Sequence, residues 1–293
     1  MDRRGVAEAY GSAIVTEFSS DVKVVPFLKW AGGKRWFADR HMNLLPQSYR
    51  NYVEPFLGGG ALFFASAPRY SILSDLNADL ISVYQIVRDY PKLLEEKLAE
   101  HHHFHSLQYY YRTRSSKPAE KVELAAWFLY LNRTCFNGLY RVNLKNEFNV
   151  PIGTKSEVIL PTDNFDELSR RLLKTELACC DFEETIDRSD EGDFVFVDPP
   201  YTVKHNLNGF VKYNDKIFAW TDQVRLRNAV VRASKRGVML MITNANHQSI
   251  RELYQGVGSL TPIKRASVLA ASSSYRASVE ELAIRTWISP EPL

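Results

Sequence analysis

Apolar positions in this chain come in short runs, and most of the runs stop at glycine, proline or a carboxylate. Phe27 and Leu28 lead through Trp30 into a Gly32-Gly33 turn, and the segment from there to about Leu45 reads as a helix ended before Pro46. Residues 52–56 read as a short strand running into Gly58-Gly59-Gly60, and residues 61–67 as the start of a helix. Residues 71–75 form a second strand ending on Asp75, after which Leu80, Ile81, Tyr84 and Val87 recur at helical spacing. The middle of the chain changes character. Residues 91–111 and 119–132 read as helices, and residues 134–155, rich in Asn, Gly and Arg, as a loop or hairpin. Strands return at 176–180, leading to Asp181-Phe182, and at 193–198, which is almost wholly apolar, as a parallel strand buried on both faces should be. Residues 221–234 read as a helix capped by Thr221, residues 237–243 as another buried strand followed by Asn244, and residues 280–286 as a late edge strand.

Strand, glycine turn, helix, strand, acid is the opening of a nucleotide-binding α/β sheet. The expected organisation is one α/β domain, residues 25–90 and 157–293, interrupted by a helical and hairpin insertion over 91–156 and preceded by an arm, residues 1–24. Composition agrees with a globular chain: 24% charged and 45% hydrophobic residues exclude wholesale disorder, collagen-like and disulfide-framework readings. The longest apolar stretches, such as 237–242, fall far short of the roughly 18–20 residues that span a bilayer, so no membrane partner is expected. Asp2, Arg3, Arg4 and Glu8 leave no signal-peptide core at the N-terminus, and a cytoplasmic location is expected. Cys135 stands alone and Cys179-Cys180 are adjacent, a spacing that reads as buried reduced thiols. His101, His102, His103 and His105 read as a solvated helix end, since three adjacent histidines point in different directions, and no metal is expected. The net charge is only +3, but residues 133–155 carry Arg133, Arg141, Lys145 and Lys155 against the single acid Glu147. That local excess suits a nucleic-acid face.

Two segments carry candidate chemistry. Asp198-Pro199-Pro200-Tyr201 follows the apolar strand, at the carboxyl end where open parallel sheets bind ligands. Two prolines remove two amide donors and stiffen the backbone. A carboxylate beside a fixed carbonyl offers two acceptors to an amino group, and Tyr201 offers a flat ring; the structural alternative is a strand-ending turn with an aromatic plug. The second segment is Glu54-Pro55-Phe56-Leu57-Gly58-Gly59-Gly60, whose glycines allow close approach of a ligand. It lacks the Lys-Ser/Thr of a phosphate-cradling loop and the spacing of a dinucleotide site. Asp75, at the tip of the next strand, either accepts hydrogen bonds from ribose hydroxyls or caps the helix that starts near Asn77. A ribose without a pyrophosphate points to S-adenosylmethionine.

These residues resemble the Dam-type DNA adenine-N6 methyltransferases, over most of the chain from Phe27 to about Thr286. Phe27-Leu28-Lys29-Trp30-Ala31-Gly32-Gly33-Lys34 is similar to the family's N-terminal cofactor motif, Glu54 to Gly60 with Phe63 to its glycine loop, and Asp75-Leu76-Asn77 with Asp79-Leu80 to its ribose motif. Asn132-Arg133, residues 136–143 and residues 147–153 resemble its DNA-recognition hairpin, and Asp198 to Tyr201 its catalytic motif. Val142 stands where the family often has tyrosine and Asn146 where it often has glycine. The resemblance implies a Rossmann-like S-adenosylmethionine-dependent methyltransferase sheet with an inserted helical and hairpin DNA-recognition domain. It implies that Trp30, Lys34, Glu54, Phe56, Gly58, Gly60, Asp75 and Asn77 hold the cofactor, Lys34 at its carboxylate, with Asp181 and Phe182 at its adenine ring. Asp198, with Pro199, Pro200 and Tyr201, would lie between cofactor and target base. Arg141 and Leu139 would read bases and probe the duplex, with Arg133, Asn137, Asn143 and Lys155 also on DNA; for Arg141 a phosphate contact or salt bridge is the alternative. The implied activity is methyl transfer to N6 of an adenine flipped out of double-stranded DNA, in G-A-T-C, by a monomer in the bacterial nucleoid or a phage-infected cell, with a restriction endonuclease as a candidate companion. Alternatives are a methyltransferase acting on RNA or on a protein amide nitrogen, and an inactive DNA-binding homologue.

Overall fold

The computed structural model describes residues 24–143, 145, 147–204, 218–265 and 279–288. The expected arm, apart from Val24, lies outside the described residues, as does Asn146. Seven strands make one sheet: β1 (Tyr52–Glu54), β2 (Ser71–Asp75), β3 (Thr175–Cys179), β4 (Phe194–Val197), β5 (Met239–Ala245), β6 (Ser259–Arg265) and β7 (Val279–Arg285), in the order β3-β2-β1-β4-β5-β7-β6. The first five in that order run parallel. β7 runs antiparallel to both neighbours. The strand order reverses between β1 and β4, which places the ligand crevice of such a sheet at the carboxyl ends of those two strands. The expected Rossmann-like α/β fold is therefore present.

Alternation along the strands divides the interior in two. Tyr52, Phe194, Phe196 and Met241 face one cluster; Val53, Val195, Val197, Leu240 and Ile242 face the other. The second cluster is closed by α8 (Phe182–Asp187), α9 (Trp220–Lys235) and α10 (Gln248–Leu253). The first is closed by α1 (Arg35–Arg40), α2 (Ala61–Ser66), α3 (Ala78–Asp89), α4 (Pro91–Phe104), α5 (Leu107–Arg114), α6 (Lys121–Thr134) and α7 (Phe165–Leu172). Local sequence explains their limits. Asn77 caps α3 by accepting the Leu80 amide at 3.1 Å, and Pro91 opens α4 where its missing N–H costs nothing. α6 is apolar nearly all round and is buried on almost every side, including Trp127 through Leu131. Among the described residues no helix is long and apolar enough to cross a membrane.

Four readings of the sequence change. The helix expected over 34–45 is α1 followed by a 3₁₀ turn, Met42–Leu44. The helix expected over 91–111 breaks before Ser106, whose hydroxyl accepts the Tyr109 amide at 3.2 Å and starts α5. α9 is capped at Ala219 rather than Thr221, because the Asp222 carboxylate reaches back to the Ala219 amide at 2.9 Å. The strand read as an edge, β7, lies between β5 and β6. β6 is the edge, and its Pro262 masks the strand in sequence, although an edge strand tolerates the lost donor.

The described residues between 134 and 155 form a hairpin-like arm, held by antiparallel bridges Cys135–Ile152 and Val142–Phe148. The helices before it share the cluster of the sheet, through Leu94, Leu98, Tyr110 and Phe128. Asn132, fully buried at the end of α6, ties the arm to the segment that opens the chain's chemistry. Its Oδ1 accepts the Lys29 amide at 3.0 Å, and its Nδ2 donates to the carbonyls of Lys29 and Gly138. Asn132→Leu keeps most of the volume and leaves these backbone groups unmatched. It should lower unfolding free energy by about 2–4 kcal/mol, read as a shift in urea midpoint at unchanged slope.

Candidate active site

β4 ends at Val197 beside Ile242 of β5, so Asp198 emerges next to Thr243. The Thr243 hydroxyl donates to Asp198 Oδ1 at 2.6 Å. The Gly32-Gly33 turn, with Gly32 at φ +78°, delivers Lys34 to the same oxygen, Nζ at 2.8 Å, while Nζ also donates to the Gly32 carbonyl at 3.0 Å. Glu281, on β7, lies 3.6 Å from Lys34 and accepts the Tyr201 hydroxyl at 2.7 Å. Lys34 Nζ also sits 4.8 Å from the centre of the Tyr201 ring. Burial pushes Asp198 above the ordinary carboxylate range, opposed by Lys34 and Thr243; burial and the two carboxylates push the Tyr201 hydroxyl far up. Asp198 keeps 17% side-chain exposure. Among the described residues, Oδ1 carries its partners, and neither Oδ2 nor the Pro199 carbonyl accepts a hydrogen bond. Pro200 is held differently: its carbonyl accepts from Gln223, a fully buried side chain itself fixed by Asn244.

Lys34 was expected at a cofactor carboxylate. Its ammonium bonds Asp198 and the Gly32 carbonyl and lies beside Glu281, where two buried carboxylates call for a counter-charge. Glu54, also expected on the cofactor, is 3% exposed and serves the fold. It accepts the Tyr52 hydroxyl at 2.8 Å and the Phe63 amide in the first turn of α2, and burial raises it to about 8.

The glycine loop is where expected. A Cβ at Gly58, whose φ is +46°, would stand 2.7 Å from the Trp30 indole. Trp30, Leu28, Gly33, Arg35 and Gly59 line a cavity of about 140 Å³ there. Asp75 accepts the Gly58 amide at 3.1 Å and the Asn77 amide at 3.0 Å, so it braces the loop while Asn77 caps the helix. Asp181 and Phe182 follow β3. Phe182 stacks on Phe56 with centroids 5.2 Å apart, too close to admit a third ring, which needs twice the contact distance of about 3.5 Å. These two rings form one wall. Arg225 of α9 covers Phe182 at 4.8 Å and pairs with Asp181 at 2.7 Å.

Along the arm the expected DNA residues separate. Arg133 is not on the surface: its buried guanidinium grips Asp163 at 2.6 and 2.8 Å and donates to the carbonyls of Val158 and Phe27. Asn143 closes the hairpin turn by accepting the amides of Lys145 and Glu147, and donates to the Glu147 carboxylate. Asn137, with φ +56°, and Lys155 are exposed, and Leu139 is half-buried. Arg141 is fixed through Nε to Asn149 at 2.9 Å, which leaves its terminal nitrogens without a partner among the described residues. Tyr140 stacks on Trp30, centroids 5.6 Å apart, and joins the arm to the cofactor motif.

Two thiol and imidazole readings also change. Cys135 is buried but Cys179 is exposed. His102 and His103 are solvated, whereas the His101 ring stacks on Tyr130 at 4.7 Å. No group of His, Cys, Asp and Glu among the described residues has the makings of a metal site. Sequence reading missed Glu281, Thr243, Gln223 and Arg225. Only Glu281 left a signal, one of two acids heading an apolar strand.

Residues 30–268 match the family of D12 class N6 adenine-specific DNA methyltransferases. The chain is similar to the Type II methyltransferase M1.LlaDCHI of Lactococcus lactis subsp. cremoris, 36% identical over 91% of this chain and 96% of that one. It is similar to the Type II methyltransferase M.MjaIII of Methanocaldococcus jannaschii, 34% identical over 91% of this chain and all of that one. It is also similar to the DNA adenine methylase of Escherichia coli K12, 31% identical over 87% and 93% of the two chains.

Glu54 generates a pH prediction. Between its ordinary value of 4.5 and about 8 the native chain holds a proton that the unfolded chain has lost, so its contribution to stability falls as pH rises through that window. Glu54→Gln, which stays neutral, should gain on wild type by at most roughly 1.4 kcal/mol per pH unit across it. Urea unfolding at pH 5, 6, 7 and 8 measures the difference; a constant gap would refute a raised Glu54.

Proposed function

Because this chain belongs to the D12 class of N6 adenine-specific DNA methyltransferases, we propose that it transfers a methyl group from S-adenosylmethionine to N6 of an adenine flipped out of duplex DNA. The observation that carries the reading is the pair of open acceptors, Asp198 Oδ2 and the Pro199 carbonyl, beside a carboxylate oxygen already engaged by Lys34 and Thr243. An exocyclic amine offers two N–H donors, and its lone pair is spread into the purine ring. Accepting both donors favours a pyramidal nitrogen and aims the lone pair outward, and such orientation contributes several kcal/mol. The same acceptors stabilise positive charge as it develops on N6.

The residues present suit the cofactor: a glycine loop packed on Trp30, a carboxylate at the tip of β2, and an aromatic wall with the Asp181 carboxylate at the end of β3. Asp75 would hold the ribose, Phe56 and Phe182 would face the adenine, and Gly58 and Gly60 would give close approach. S-adenosylmethionine supplies the electrophilic methyl group when bound. Lys34 acts on the chain's side of the reaction, holding Asp198 charged.

Asp198 is recessed, and N6 is paired inside a duplex, so the base has to leave the stack at a cost of a few kcal/mol. Tyr201, its hydroxyl anchored on Glu281, is the proposed stacking platform. We assign DNA reading to residues 91–156, with Arg141 as the base reader: Asn149 fixes its Nε and presents the terminal nitrogens as a fork, the geometry that meets guanine O6 and N7. Asn137, Leu139, Asn143 and Lys155 complete that face. G-A-T-C is the proposed target, as the commonest site of the family the chain resembles. The Type II methyltransferases among the relatives support a role beside a companion endonuclease, with the chain acting as a monomer.

The test is transfer of labelled methyl from S-adenosylmethionine to unmethylated duplex, with modified adenines mapped. Label at adenine in one short site supports the reading; label on RNA or protein alone overturns it. Asp198→Ala should lower transfer at least ~100-fold while circular dichroism and duplex binding stay unchanged. Arg141→Ala should relax discrimination at one base pair by about 1–3 kcal/mol; uniform weakening on all sequences would assign it to phosphate instead.

A further inference from the structure

Glu281 is a charged residue at a strand position where the fold asks for an apolar one. Leu282, Ala283 and Ile284 beside it are fully buried, and Glu281 itself is 2% exposed between Ala245 of β5 and Ile263 of β6. A buried carboxylate is costly unless paired. Its partners show what it does there. Oε2 takes the Tyr201 hydroxyl at 2.7 Å and faces Lys34 at 3.6 Å, while Oε1 faces Arg265 of β6 at 3.3 Å.

We propose that Glu281 is a positioning residue for methyl transfer: it shares Lys34 with Asp198, so that Asp198 remains a strong hydrogen-bond acceptor, and it fixes Tyr201 over the site. The proposal rests on the methyltransferase reading for the role of Asp198. An ammonium 2.8 Å from Asp198, with no second carboxylate, would place its whole charge on the atom group that must accept from the target amine. Glu281 divides that charge, and Arg265 limits the division from the opposite side. The groups that face the pair come from every neighbouring element: Lys34 ahead of α1, Tyr52 and Glu54 on β1, Tyr201 after β4, Thr243 on β5 and Arg265 on β6.

Glu281 and Arg265 are opposite charges in contact, so removing one should shift Asp198 in the direction opposite to removing the other, and this gives the test. Glu281 raises the protonation range of Asp198. Methyl transfer to duplex DNA is measured against pH for wild type, Glu281→Gln and Arg265→Met, with binding of labelled S-adenosylmethionine followed in parallel. In Glu281→Gln the acid limb of kcat should move down by about one pH unit and the plateau should fall roughly tenfold, with cofactor binding kept. In Arg265→Met the acid limb should move up. Should Glu281→Gln fail to fold, the upward shift in Arg265→Met carries the proposal alone. Limbs that stay at the wild-type pH in both variants, with only thermal stability reduced, overturn it and leave Glu281 a structural residue. A wild-type chain that binds cofactor and methylates no DNA adenine overturns the parent reading and this proposal with it, a result separable from the first by the wild-type rate.

Discussion

Asp198 is a carboxyl group at a point where little solvent reaches it, and the arrangement around the sheet's reversal follows from that constraint. A lone carboxylate there would take up a proton rather than stay ionised. Lys34 answers the charge, and Lys34 can be there only because the Gly32-Gly33 turn folds the segment before α1 back over the tips of the strands. Thr243 takes part of the same oxygen, and Glu281 keeps the lysine from neutralising the carboxylate outright. The result is an oxygen with settled partners on one side and an open oxygen on the other, which is what an acceptor for an amine must be.

The segment leading into that turn joins two regions that lie far apart in the chain. Asn132 bonds both backbone groups of Lys29 and the carbonyl of Gly138, and Tyr140 stacks on Trp30. The arm assigned to DNA and the loop assigned to the cofactor therefore share one packed seam. No separate hinge divides them among the described residues, since α6 belongs to the cluster that also covers the sheet.

Much of this was legible in residue order. Short apolar runs ending in glycine or acid place β1, β2 and β4 within a residue or two, because a parallel strand buried on both faces has no polar alternative. Asp198 at the end of β4 and Asp75 at the end of β2 follow directly. What sequence could not show is pairing across distance. Tyr201 and Glu281 are 80 residues apart, and Arg133 finds Asp163 30 residues on. Arg133 looks like a DNA contact by its neighbours in sequence and is a buried clasp by its neighbours in space. Lys34 and Glu54 show the same limit: the motif announces their charge, and only the fold shows the carboxylates and the hydroxyl they contact. Pro262 hides β6 because the rule against proline in strands relaxes only at an edge, and edges are known only once the sheet is assembled.

β7 has a consequence for how the chain comes to be active. It enters between β5 and β6, so β6 has no hydrogen-bonded neighbour of its own until the later strand arrives. During synthesis the five parallel strands, the glycine loop and the Asp-Pro-Pro-Tyr turn all leave the ribosome before Glu281 does. A nascent chain can thus hold the parallel strands while its Lys34 rests on Asp198 alone. Insertion of β7, a late step of high contact order, completes the sheet and brings the Glu281 carboxylate to Lys34 and Tyr201 in one event, so the last charge of the site arrives with the closing strand and not with the motifs that announce it.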